Sequence, residues 1–282
     1  MNSHLFTQRL EDINPQESIN SLEEGKVLFF PEYSFSMTDS SLMSEEILDG
    51  SRKNISYDSQ RKSVSAHKKE IENLDSKLTH MMQGFADFSH QLIQQTLPSY
   101  VPHLKWGRTS FRPAQIDGRV SSKRKDDTRL HVDSFAASPV NGLRILRVFC
   151  NVNLNNEPRV WNLGEPFPQV LERFAPQIAD YSPLKARVLK WVKATKTLRS
   201  AYDHYMLHLH DSMKLDDHYQ QQVEKIQFDF PAQSTWIVFT DHVSHAALSG
   251  QHLLEQTFYL PVDNMAKPEH SPLRQWQQIR EC

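Results

Sequence analysis

The chain has 282 residues, with 32 Lys and Arg against 34 Asp and Glu, so its formal net charge is −2. That length can bury a substantial core in one large domain or two modest ones. Near-neutrality excludes a protein-wide field for nucleic acid or membrane, while leaving room for a local patch. The two cysteines, Cys150 and Cys282, exclude a disulfide scaffold or a cysteine-rich zinc site, and 8 glycines leave little for a phosphate-cradling loop.

The N-terminus lacks a basic start followed by an apolar stretch, and no apolar run approaches the roughly 20 residues that span a bilayer, so a cytoplasmic chain is expected. Residues 1–24 are polar without a clear period and read as an arm, which leaves residues 25–282 as one domain. Val27 to Phe30, stopped by Pro31, predicts a short buried strand. A Ser-rich stretch from Ser34 to Ser65 reads as a long connection. From about residue 68 to 97 the period becomes helical: Leu74, Leu78, Met81, Met82, Phe85, Phe88 and Leu92 recur at three- and four-residue spacing, and Pro98 ends the run.

The texture then turns to strands, over residues 103–112 (HLKWGRTSFR), briefly over 129–135 (RLHVDSF), and most strongly over 142–153 (GLRILRVFCNVN). The helical period returns over residues 165–222, with Ser182-Pro183 as an N-cap followed by proline at the first helical position. A last strand pair covers residues 234–239 and 256–262. Strands on both sides of a helical insert predict an α+β fold, with a sheet or barrel closed by residues distant in sequence.

One constellation carries chemistry. His131 and Asp133 form an H-x-D pair, and residues i and i+2 of a strand present their side chains to one side. His245, beyond another strand, would complete a set of two histidines and one carboxylate, which leaves three adjacent positions open on Fe(II). His242 competes with His245 for that place. His204, His208 and His210 form a second cluster; without the intervening Glu of a zinc-protease helix they read as packing or surface histidines.

The blocks His131 to Asn153, Glu157 to Trp161 with Gly164 to Phe167, and Thr240 to Phe258 resemble the Kdo hydroxylases, Fe(II)/2-oxoglutarate dioxygenases that hydroxylate C3 of the acidic sugar Kdo in the inner core of lipopolysaccharide. The resemblance covers about half of the chain. It implies a double-stranded β-helix (jelly-roll, cupin-like) core decorated by helices, with Fe(II), 2-oxoglutarate and O2 as cofactor and cosubstrates. It carries the iron-ligand role onto His131, Asp133 and His245, and favours His245 over His242 because His245 alone fits the Ser-His-Ala block. A Kdo-bearing lipid A precursor follows as substrate, with transient contact at the cytoplasmic face of the inner membrane and no nucleic-acid partner.

Enzymes of this class hold the distal carboxylate of 2-oxoglutarate with an arginine, commonly ten or eleven residues after the second histidine. Here Glu255 and Gln256 stand in that place. The strand 143–153 offers a substitute. One of its faces reads Arg144, Leu146, Val148, Cys150, Val152, suited to outer helices, and the other reads Leu143, Ile145, Arg147, Phe149, Asn151, Asn153, suited to a ligand-lined interior. Arg147 is therefore the expected anchor, with Arg144 and then Arg159 behind it. For the acidic sugar the expected contacts are Arg112, Arg108 and Arg129, and the basic loop Ser121 to Lys125 could reach a carboxylate or phosphate at the mouth. A hydroxylase of another acidic sugar or of a protein side chain, and a non-catalytic metal-binding β-barrel, remain open at this stage.

Overall fold

The computed structural model describes residues 4–118 and 121–282, and its elements alternate helices with strands of two sheets. Strand β1 (Leu5–Thr7) pairs in parallel with β2 (Val27–Phe30), and helix α1 (Pro15–Glu23) lies between them in sequence. The expected arm therefore needs correction: residues 5–23 are built into the fold. Asn14 caps α1 by accepting from the Gln16 and Glu17 amides, and Ile19 and Leu22 enter the core. The helix was hidden because its buried face also carries Ser18, Ser21 and Glu23, which masks the apolar period.

The Ser-rich connection holds two single-turn 3-10 helices and an edge hairpin, β3 (Ile55–Asp58) with β4 (Ser63–Ser65). Helix α2 (Leu74–Thr96) starts later than its period suggests because Asn73 takes a left-handed conformation, φ 60°. It buries Leu78, Met82, Phe85, Leu92 and Ile93 against the sheet. Next come β5 (Lys105–Arg112), β6 (Arg144–Asn151) and β7 (Arg159–Leu163). The insert between residues 165 and 222 is four helices: α3 (Phe167–Phe174), α4 (Pro183–Trp191), α5 (Ala201–Leu215) and α6 (Asp217–Gln222). Ser182 caps α4 as its sequence predicts, and Ser200 with Asp203 forms a capping box on α5. Strands β8 (Ile226–Phe230), β9 (Ser234–Phe239), β10 (His245–Ser249) and β11 (Leu253–Leu260) and helix α7 (Pro272–Gln277) complete the chain.

Eight strands form one sheet in the order β1-β2-β9-β6-β11-β5-β3-β4, and three form a second in the order β10-β7-β8. Period-two alternation on β6 sorts its side chains between two environments. Leu146 and Val148 face α1 and α2, while Phe149 packs between the sheets with Phe29, Trp161, Phe230 and Trp236. Ring contacts such as Phe149–Trp161 at 5.1 Å and Phe230–Trp236 at 4.0 Å fill this layer. The functional cleft opens between the same two sheets. Among the described residues no helix is long and apolar enough to cross a membrane.

Candidate metal centre

His131 and His245 lie 114 positions apart, yet their backbones form an isolated antiparallel bridge. The His131 amide donates to the His245 carbonyl at 3.0 Å and the His245 amide donates back at 2.9 Å. Two residues on, the Asp133 amide donates to the Thr240 carbonyl at 2.7 Å. Residues 129–135 thus make one bridge rather than a strand, and that bridge brings the H-x-D pair against the start of β10. One ligand atom from each of His131, Asp133 and His245 falls within 4.8 Å of the others.

The electronic state of the three groups suits a divalent metal. Nδ1 of His131 lies 2.8 Å from the Arg129 carbonyl, and Nδ1 of His245 lies 2.8 Å from the Val243 carbonyl. A carbonyl only accepts, so both Nδ1 atoms carry the proton and both Nε2 lone pairs are left bare. Burial pulls both rings below the ordinary imidazole range, which keeps them neutral. For Asp133, burial alone would raise the carboxyl; the Arg147 guanidinium holds it well below the usual carboxylate range. Its buried Oδ2 faces the Arg147 guanidinium at 3.1 Å. Two neutral imidazoles with bare Nε2 atoms and one buried, ionised carboxylate form a donor set that fits Fe(II). The Trp161 ring stacks on His245 at 5.0 Å and the His210 ring meets His131 edge-on at 5.4 Å, so both imidazoles are held by packing.

Three arginines, Arg112, Arg147 and Arg159, line the cleft beside these groups, with Asp127, Phe149 and Trp161. Nη1 of Arg147 is 3.1 Å from Asp133 Oδ2 and 3.3 Å from Glu255 Oε1. Arg112 donates to Glu255 Oε2 at 2.9 Å. Glu255 sits on β11 opposite Ser110 of β5 and Phe149 of β6, between the strands that carry the two arginines. Burial would raise its carboxyl, and Arg147 and Arg112 hold it below its ordinary range instead. The position where an anchoring arginine is common is thus the shared counter-ion of two arginines donated by neighbouring strands. Nε of Arg147 and Nε of Arg112 are buried without hydrogen-bond partners, as an anionic ligand would need them.

Other expected residues lie elsewhere. Arg144 belongs to the helix-facing side of β6, where it donates to Asp241 from Nε at 2.8 Å and lies 3.8 Å over the Phe239 ring. Its expected part in cosubstrate binding is therefore corrected: it is a core ion pair. Arg108 is half exposed and pairs with Asp58 at 3.0 Å, and Arg129 is held by Asp217 at 2.6 Å and by the Lys214 carbonyl. Neither lines the cleft, so their expected sugar contacts are corrected too. In the basic loop Lys123 pairs with Asp217 and Arg124 with Asp211. His242 packs on Phe167 at 5.4 Å, outside the three-residue cluster. His204 packs on His208 at 4.4 Å. Sequence reasoning missed Trp161, Asp127 and the pairing role of Glu255. The last carried a signal, as an acid sharing the inward parity of Leu253.

Comparison with known proteins meets this geometry from the other side. No curated protein matches the chain. Solved structures do. At 43% identity and a TM-score of 0.91, 97% of this chain covers 95% of the apo Kdo hydroxylase KdoO, a non-heme Fe(II) α-ketoglutarate-dependent dioxygenase. The cobalt(II) complex of KdoO matches at 43% identity and TM-score 0.93, over 98% of this chain and 95% of that one. Its complex with α-ketoglutarate and Fe(III) matches at 43% identity and TM-score 0.91, over 97% and 95%. The model of the family described as 3-deoxy-D-manno-oct-2-ulosonic acid (Kdo) hydroxylase matches residues 7–281, so the resemblance carried by three sequence blocks extends over nearly the whole chain, which belongs to the Kdo hydroxylase family.

Proposed function

We propose that this enzyme hydroxylates C3 of Kdo on a lipid A precursor, consuming 2-oxoglutarate and O2 and releasing succinate and CO2. The observation that carries the reading is the buried cluster of His131, Asp133 and His245, with both Nε2 atoms bare, in a member of this family. His131, Asp133 and His245 hold the metal. When bound, Fe(II) supplies the O2 activation that couples decarboxylation of 2-oxoglutarate to C–H hydroxylation.

The protein's own contribution is positioning and charge. The backbone bridge sets the spacing of the two imidazoles, and the carbonyls of Arg129 and Val243 keep their protons on Nδ1. Arg147, inward on β6 and 3.1 Å from Asp133, holds the 2-oxoglutarate carboxylate, with Arg159 at the same cleft as the second cation. Arg112 meets the sugar carboxylate. Glu255 keeps Arg112 and Arg147 separated and oriented in the absence of anions. Phe149 and Trp161 close the floor of the cleft against water. The two facing sheets, largely antiparallel, support reading the core as a double-stranded β-helix decorated by helices, with β1 and α1 belonging to the same catalytic domain. A cytoplasmic enzyme working at the inner membrane follows from the substrate.

Mass spectrometry of Kdo-lipid A incubated with enzyme, Fe(II), 2-oxoglutarate and O2 tests this. The expected product gains one oxygen per succinate formed, and Asp133→Ala abolishes both. Succinate release without oxygenated Kdo-lipid A, or oxygenation of a protein peptide in its place, refutes the substrate assignment.

A further inference from the structure

Helix α4 exposes what a soluble surface ordinarily hides. Leu184 is 70% exposed, Val188 49%, Trp191 83% and Val192 53%. At 100° per residue, positions 184, 188, 191 and 192 form one stripe, while Ala186 is buried on the opposite side against the protein. Lys185 and Arg187 flank the stripe. From residue 183 to residue 199 the chain carries Lys185, Arg187, Lys190, Lys193, Lys196 and Arg199 and no acidic residue. Among the described residues none of these six forms an ion pair, in contrast to Lys123, Arg124 and Arg129, each spent on an aspartate. Single exposed apolar residues need no explanation; an apolar stripe rimmed by unpaired cations does.

The segment is also tied to the site. The Lys196 amide donates to the Ala137 carbonyl at 2.9 Å and the Arg199 guanidinium donates to the Ala136 carbonyl at 2.8 Å. Ala136 and Ala137 follow Asp133 by three and four residues, with Phe135 between, its ring 5.6 Å from the Arg147 guanidinium. The stripe and its cations therefore sit on the segment that borders the chain leaving the metal cluster.

We propose that α4 and the coil to Arg199 form a docking surface for an anionic bilayer, with Trp191, Val188 and Leu184 in the headgroup–acyl boundary and the flanking cations on the lipid phosphates. An apolar stripe with an interfacial tryptophan and unbalanced positive charge is complementary to such a surface. The role of this docking in presenting substrate rests on the lipid-linked Kdo reading; the docking itself does not.

Cosedimentation of the full chain with vesicles tests it, using phosphatidylglycerol–phosphatidylethanolamine against phosphatidylcholine alone. Wild type binds the anionic vesicles and releases them at high salt. Lys185→Gln with Arg187→Gln weakens binding about 25-fold, at about fivefold per cation, and Trp191→Ser weakens it about tenfold. Both variants keep wild-type turnover of a deacylated, water-soluble Kdo saccharide and lose turnover of Kdo-lipid A embedded in vesicles. Failure of wild type to bind, equal binding to phosphatidylcholine, or unchanged binding by both variants overturns the proposal. So does variant-sensitive binding to an acidic protein with none to vesicles. Anionic-vesicle binding that is lost in the variants, in an enzyme that leaves every Kdo substrate untouched, upholds the docking surface while refuting the proposed function.

Discussion

Replacing Arg144 by methionine separates the two arginines of β6 by their effects. The Arg144 side chain is 0% exposed and that of Asp241 1%, with Nε–Oδ2 at 2.8 Å and Nη2–Oδ1 at 3.4 Å. Removing one member of such a pair strands the other charge in the core, at a cost of about 3–5 kcal/mol. Against a total stability of about 5–15 kcal/mol, that is a large fraction, and it lowers Tm by roughly 6–20 °C at about 2–4 °C per kcal/mol. Arg144→Met with Asp241→Leu removes both charges and returns to within about 2 kcal/mol of wild type. Burial pushes the Asp241 carboxyl up even with Arg144 beside it. Without Arg144 its folded pKa rises further above the unfolded value, so the penalty is largest above that folded pKa and shrinks as pH falls through it. Urea denaturation at pH 5 and pH 8 reads the stabilities, and succinate formation reads the KM for 2-oxoglutarate, which stays at the wild-type value in the double variant. A single-variant loss below about 1 kcal/mol, or a tenfold rise in that KM for the double variant, refutes the assignment of Arg144 to the core.

Four further outcomes follow. Arg147→Met raises the KM for 2-oxoglutarate and Arg112→Met raises that for the Kdo substrate, each about 10- to 100-fold for a lost charged hydrogen bond; steady-state kinetics with each substrate varied reads the split. Because burial keeps His131 and His245 neutral below their ordinary range, Co(II) affinity by titration stays nearly flat from pH 8 to about pH 6.5; a tenfold fall per pH unit across that window contradicts neutral imidazoles. The same depressed values mean that the metal-free fold loses stability as pH drops below about 6.5, where the unfolded chain takes up the protons. Gly250 has φ +107°, and a Cβ there would lie 2.8 Å from the Pro158 carbonyl oxygen, so Gly250→Ala costs about 2–4 kcal/mol by thermal unfolding.

What the chain discloses before folding depends on whether a signal is local. The period-two parity of β6 separates Leu146 and Val148 from Arg147 and Phe149 correctly, because a strand buried on both faces still alternates strictly. The same parity places Arg144 among the helix-facing residues, although charge alone had kept it as a cosubstrate candidate. The spacing of His131 and Asp133 is equally local. Strands β7, β8 and β10 escaped notice because they are five residues each and mix inward Arg159 and Trp161 with outward Asn162, Gln227 and Asp229. Arg108 and Arg129 failed for another reason: their acidic partners, Asp58 and Asp217, lie 50 and 88 positions away, and no pattern within a strand encodes them.

The backbone bridge between His131 and His245 has a consequence for how the centre opens. The amides of His131, Asp133 and His245 all donate to carbonyls across the same seam, so they are protected from hydrogen exchange by one local unit rather than by three. Loosening that seam separates the imidazoles and frees the carboxylate in a single event. A metal held by the three side chains shifts that opening equilibrium toward closure by mass action, as a rivet placed after the plates have been aligned.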